Sequence, residues 1–164
     1  MTYSYTFKNI QDIAHISSQE TLIWILHADK IPPHIGISVD GYFFSLKTEG
    51  KDENIPFSLL VSFLRRREIT AVAISLNQSL DLKDTQCLFE KLDKIPQSES
   101  CLSPILTLLS KSDSIPTVSE LLKELEQEQQ IKAIFGLNLG SEFKGLRAYS
   151  DKDIQERINK LRNV

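Results

Sequence analysis

Residues 31 to 48 read Ile-Pro-Pro-His-Ile-Gly-Ile-Ser-Val-Asp-Gly-Tyr-Phe-Phe-Ser-Leu-Lys-Thr, and their reading decides the fold. Asp40-Gly41 stands between two β-rich runs, and a two-residue Asp-Gly loop supplies the positive φ angles of a type I′ turn. Counting outward from that loop sets Val39 opposite Tyr42, Ile37 opposite Phe44 and Ile35 opposite Leu46. One face of the predicted hairpin is therefore apolar. The other carries His34, Gly36, Ser38, Ser45 and Lys47, with Phe43 as its one large apolar side chain, and is expected to be partly open. Pro32-Pro33 excludes helix and delivers the His34 imidazole at the start of a strand. A longer turn would shift the register by one and put His34 on the buried face, so both placements are open at this stage.

Outward from the hairpin, the pattern is that of an α/β (α+β) domain. Phe7 to Ile16 spaces Phe7, Ile10, Ile13 and Ala14 as in a short amphipathic helix, with His15 solvated. Thr21 to Ala28 contains Leu-Ile-Trp-Ile-Leu, an apolar run of strand length that reads as a central strand covered on both faces. After the hairpin, Pro56 suits the first turn of a helix whose stripe is Leu59, Leu60, Phe63 and Leu64. Thr70 to Leu76 reads as a second buried strand. Asp81 or Asp84 caps a helix to about Asp93 that buries Leu88, Phe89 and Leu92. Ser98 to Cys101 leads into a helix from Leu102 to Ser110 with Leu102, Ile105, Leu106 and Leu109 on one face. Thr117 with Glu120 forms a capping box for a helix to about Gln129, buried through Val118, Leu121, Leu122 and Leu125. Ile131 to Leu139 reads as a short strand or a mix of loop and strand. Ser150 with Asp153 caps a final helix, Asp151 to Arg162, expected to dock through Ile154, Ile158 and Leu161. The expected architecture is one domain over residues 1–164, with a central mixed or antiparallel sheet and five to six helices.

Composition narrows the function. With 164 residues the chain is long enough to bury a core without staples. A formal charge of -3 gives no footprint for nucleic acid, and the cluster Arg65-Arg66-Arg67 is followed by Glu68 rather than by further cations. The two cysteines, Cys87 and Cys101, are too few and too far apart for a disulfide framework or a Cys-x-x-Cys site, so reduced thiols are expected. The longest strongly apolar run, Leu22 to Leu26, is far short of a membrane span, and the start of the chain lacks a secretory pattern. A cytoplasmic protein is expected. Gly136, Gly140 and Gly145 lack the spacing of a phosphate loop.

Chemistry concentrates on Cys101. At the first turn of its predicted helix, unpaired backbone N–H groups and the helix dipole favour a thiolate, which would lower the pKa below the free value of about 8.5. Pro104 instead favours Ser103 as the cap and leaves Cys101 just outside; both placements keep the sulfur near the positive end.

A histidine at a strand start, followed downstream by a cysteine at a helix start, resembles the circularly permuted papain-like thiol proteins. That group includes permuted NlpC-type amidases, lecithin:retinol acyltransferase-like proteins and the PPPDE isopeptidases. The segment His34 to Phe44 is similar to their His-strand-turn-aromatic-strand opening, and Cys101 with its helix is similar to their nucleophile. The resemblance implies a cysteine hydrolase or acyltransferase acting on an amide, ester or thioester without metal or cofactor. Cys101 would attack the carbonyl, His34 would take the thiol proton, and backbone N–H groups would bind the oxyanion. The acyl substrate would be a peptide, a lipid or a small molecule. Two positions depart from the pattern. Ser100 precedes the cysteine where Asn is common, and the best orienting residue for His34 is Ser45, where Asn, Asp or His would serve better.

Plainer readings stand beside this one. Free cysteine is often a packed small hydrophobe, a reading that fits Cys87 better still than Cys101. His34 beside two prolines can be a satisfied loop-edge histidine. His27 with Asp29 could begin a metal site, but no second ligand pair stands at a suitable spacing. The competing class is a non-catalytic protein-interaction or ligand-binding domain, for which the acidic helix from Glu120 to Gln130 and an exposed Phe43 are the modest signals.

Overall fold

The computed structural model describes residues 2–95 and 100–162. Its centre is the strand β3, Leu22–Leu26, in which all five residues are buried. A strand with no polar side chain among these five must be covered on both faces, and β3 lies fourth in a seven-stranded sheet of order β2-β8-β7-β3-β4-β5-β6. The flanking strands are β4, His34–Val39, and β7, Ala71–Leu76, both antiparallel to β3. Beyond them lie β5, Tyr42–Lys47, and β6, Gly50–Pro56, on one side, and β8, Ile131–Leu137, and β2, Ile10–Asp12, on the other. The β2–β8 pairing is parallel, so the sheet is mixed. A separate two-stranded sheet joins β1, Tyr3–Thr6, to β9, Gly145–Arg147.

The hairpin has the expected turn. Asp40 and Gly41 adopt φ of 53° and 87°, the pair of positive angles that a type I′ loop requires. Val39 pairs with Tyr42 and Ile37 with Phe44, so the unshifted register holds.

Four of the five helices among the described residues cover the sheet. On the face of Ile23, Ile25, Ile35, Ile37 and Phe44 lie α2, Leu82–Glu90; α3, Ser103–Leu108; and α4, Val118–Gln127. On the face of Leu22, Trp24, Leu26 and Phe43 lies α1, Phe57–Arg66, through Leu60 and Leu64. α5, Asp151–Arg162, follows a reciprocal cap in which Ser150 N–H donates to Asp153 Oδ2 and Asp153 N–H to Ser150 Oγ. Thr117 caps α4 as expected, accepting from the Glu120 N–H. Asp81 rather than Asp84 caps α2.

Several expectations are corrected. Phe7 to Ile16 is not a helix but β2 followed by a 3-10 turn over Ile13–His15, with Asp12 capping the Ala14 N–H. Phe7 and Ile13 are buried in different clusters on opposite faces of the sheet, which a one-sided helix could not achieve. The strand β6 has no apolar alternation to mark it in the sequence, because it is polar, as edge strands often are. Phe43 is 1% exposed, because α1 closes the face of the hairpin expected to be partly open. Cys87 is exposed, not packed, and within α2 burial falls on Thr85 and Phe89, leaving Leu88 half-buried. Ser98 and Glu99 of the lead-in to α3 fall outside the described residues, as do the side chains of Ile154, Ile158 and Leu161.

Trp24 donates its indole N–H to Ser38 Oγ at 2.9 Å, which satisfies both buried groups. Gly36 pairs with Trp24, and a Cβ there would meet the Phe43 ring at 2.4 Å. Gly36→Ala is therefore expected to lower stability by about 1–3 kcal/mol in urea unfolding. Phe43→Leu in the Gly36→Ala background should recover part of that loss; a double variant as unstable as the sum of the two single variants would remove the ring contact as the cause.

Candidate functional site

The buried part of the sheet ends at Leu26, whose partner across β4 is His34. His34, Ser45 and Asp52 come from three adjacent strands, β4, β5 and β6, and form a polar row across them. His34 Nε2 lies 3.0 Å from Ser45 Oγ, and the Ser45 hydroxyl donates to Asp52 Oδ2 at 3.3 Å. The other Asp52 oxygen pairs with Lys47 Nζ at 3.0 Å. A serine hydroxyl has one proton. Since Ser45 gives it to the carboxylate, Ser45 accepts from Nε2–H, and the lone pair of the neutral imidazole resides on Nδ1.

Cys101 approaches from the other side. It precedes α3, just outside the cap position at Leu102, and packs against the cluster that contains Ile35. The preceding Ser100 accepts the Leu102 N–H through its hydroxyl at 3.3 Å. Cys101 and His34 line one cavity of about 540 Å³ at the strand ends, together with His27, Lys47, Glu49, Asp52 and Arg157. Thus His34 and Ser45 are hydrogen-bonded, and Cys101 shares a cavity with His34, which Ser45 does not line. Among the described residues no hydrogen bond joins the thiol to the imidazole.

Burial dominates the electrostatics. It pushes His34 down to about 4, against the pull of Asp52 and with smaller contributions from Lys47, His27 and Arg157. Burial also pushes the Cys101 thiol up, opposed by the backbone N–H groups of Ile35 and Cys101 and by Arg157. The expected lowering by a helix start is thereby corrected: α3 has six residues, too short for a strong dipole, and desolvation of the sulfur outweighs its donors. At neutral pH both groups are uncharged. His27, at the end of β3 with φ of 54°, is lowered chiefly by burial and then by Arg157. Among the described residues, no three His, Cys, Asp or Glu side chains gather to hold a metal ion, and His27 with Asp29 gains no further ligand.

Asp52 and Arg157 were not singled out from sequence. Register counted outward from Thr48-Glu49 sets Lys47 opposite Gly50 and Ser45 opposite Asp52, but unlike Asp40-Gly41 that pair does not mark itself as a turn in the sequence. Arg157 has no local signal; only the position of α5 brings it to the cavity. No protein-family model matches the sequence, and neither the curated proteins nor the solved structures compared with it gave a significant match.

The burial of His34 has a consequence for stability. Its folded value of about 4 lies below the unfolded value of about 6.5, so between these pH values the unfolded chain binds more protons. Stability from this group is present above pH 6.5 and is lost as pH falls toward 4. Allowing for screening through the cavity mouth, the loss is on the order of 2 kcal/mol. Urea unfolding at pH 7 and pH 4.5 should show a steeper fall for the wild type than for His34→Gln. Equal falls would mean that His34 is not held neutral.

Proposed function

We propose that the protein is a cysteine hydrolase or acyltransferase in which Cys101 is the nucleophile, His34 the general base and Ser45 the residue that orients it. The observation that carries this reading is that His34 and Cys101, far apart in the chain, line one cavity while the Ser45–Asp52 row leaves His34 Nδ1 as the proton acceptor. The order of histidine before cysteine and the hairpin between Pro33 and Lys47 resemble those of the permuted papain-like proteins, and this supports the reading.

In the proposed reaction the Cys101 S–H proton passes to His34 Nδ1 as sulfur attacks the acyl carbon. The carbonyl oxygen becomes an oxyanion, which the backbone N–H groups beside the sulfur would stabilise. Collapse of the tetrahedral adduct expels the alcohol, thiol or amine, which takes the proton back from the imidazolium. Water or a second acceptor then cleaves the acyl-Cys101 thioester by the same route in reverse. The apolar walls of the cavity suit an acyl group that is itself apolar. The chain has no helix long and apolar enough to cross a membrane among its described residues, and both cysteines are free thiols, which suits a reducing, cytoplasmic setting.

A second reading is a non-catalytic ligand-binding or interaction domain. It is favoured by the hydrogen bond of His34 to Ser45 rather than to Cys101 and by the raised thiol.

Hydrolysis of p-nitrophenyl butyrate, read together with intact mass in a Cys87→Ala background, separates the two. The acyl-transfer reading expects a butyryl adduct on Cys101, loss of hydrolysis by at least about 100-fold in Cys101→Ala and of similar size in His34→Ala. The acid limb of kcat/KM should fall near pH 4 rather than 6.5, since activity requires neutral His34. Hydrolysis indifferent to both substitutions, with no adduct, leaves the binding domain.

A further inference from the structure

The cavity has two kinds of wall. Leu26, Ile35, Ile69, Ile95, Leu102 and Val118 give it apolar sides. Its carboxylates are already matched: Asp52 pairs with Lys47 at 3.0 Å, and Glu49 with Lys94 at 3.1 Å. Arg157, reaching the cavity from α5, has no ion pair among the described residues and is the surplus cation of the lining. Its field is felt at three other groups there, since it disfavours the charged forms of His27 and His34 and favours the thiolate of Cys101.

A guanidinium without a carboxylate beside apolar walls is complementary to a molecule with a greasy chain and one anionic group, because Arg binds carboxylate and phosphate by paired, charge-assisted hydrogen bonds. We propose that the cavity takes an amphiphile, an apolar chain carrying a carboxylate or a phosphate, with its anionic group seated at Arg157. This deepens the acyl-transfer reading by naming the substrate class and rests on that reading for turnover, but the binding step needs neither Cys101 nor His34 to react. It also assigns Arg157 a role in recognition, outside the bond-making groups.

The test is calorimetric titration of the full chain carrying Cys101→Ala with octanoate, octyl phosphate and 1-octanol. At least one of the two anions should bind about tenfold or more tighter than the alcohol, and comparison of the two identifies the head group. Arg157→Gln should erase that preference while leaving 1-octanol affinity unchanged, which reports that the cavity is intact; Arg157→Lys should keep part of it. In the Cys87→Ala protein with Cys101 present, the preferred anion should slow alkylation of Cys101 by iodoacetamide, placing it in this cavity. Equal affinity for all three probes, no binding at millimolar concentration, a preference that survives Arg157→Gln, or binding that leaves Cys101 unprotected would each overturn the proposal. The two readings fail separately. Absent ester hydrolysis leaves the anion preference standing, and a lost preference leaves the dependence of hydrolysis on Cys101 and His34 standing.

Discussion

Five consecutive apolar residues, Leu22 to Leu26, are buried on both sides of one strand, and the layers of the molecule follow from this. Alternating side chains send Ile23 and Ile25 to one face and Leu22, Trp24 and Leu26 to the other, so neither face can be left to water. The helices α2, α3 and α4 cover the first face and α1 the second. The partners of β3 adapt to its bulk. Gly36 stands across from Trp24, and Ser38 accepts its indole N–H, so a polar atom in the dry layer is satisfied. The cavity opens where the apolar run stops, at Leu26 and His34, because polar side chains there end the close packing.

The same burial governs the chemistry. Desolvation disfavours charge on either sign of group, lowering the imidazole and raising the thiol, so the two are driven apart rather than toward an ion pair. The donors that would reverse this are few: two backbone N–H groups and Arg157 at the sulfur, and at the imidazole Asp52, which acts through a hydroxyl and is shared with Lys47. With so few donors, the proton stays on sulfur at neutral pH.

Much of the fold was legible because local chemistry and global packing agree. Asp40-Gly41 dictates its turn, Thr117 with Glu120 and Ser150 with Asp153 mark helix starts, and the runs at Leu22 and Ala71 can only be interior strands. The failures lie where a residue's partner is remote. Phe7 and Ile13 mimic a helical stripe, yet each serves a different layer. Phe43 faces the polar side of its hairpin, and only the arrival of α1 makes it core. Cys87 and Cys101 both sit beside leucines, and tertiary placement alone leaves one in solvent and the other in the cavity. At the site, Ser45 was readable from hairpin register. Asp52 was not, because Thr48-Glu49 carries no strong turn signal, and Arg157 was not, because α5 brings it to the cavity from the far end of the chain.

Ser45 between His34 and Asp52 changes what the histidine can do. A carboxylate bonded directly to an imidazole stabilises the imidazolium and raises its basicity. A hydroxyl between them still fixes the tautomer, since its one proton is committed to Asp52, but it holds the negative charge a bond further away and lets desolvation win. On the proposed mechanism the result is a weak base and a strong conjugate acid. Removing the thiol proton is then difficult unless sulfur is already bonding to carbon, whereas returning a proton to the leaving group is easy. Such a balance favours acyl groups that accept a nucleophile readily, thioesters and activated esters, over unactivated amides, whose less electrophilic carbonyl needs sulfur to be more nearly a thiolate when it attacks.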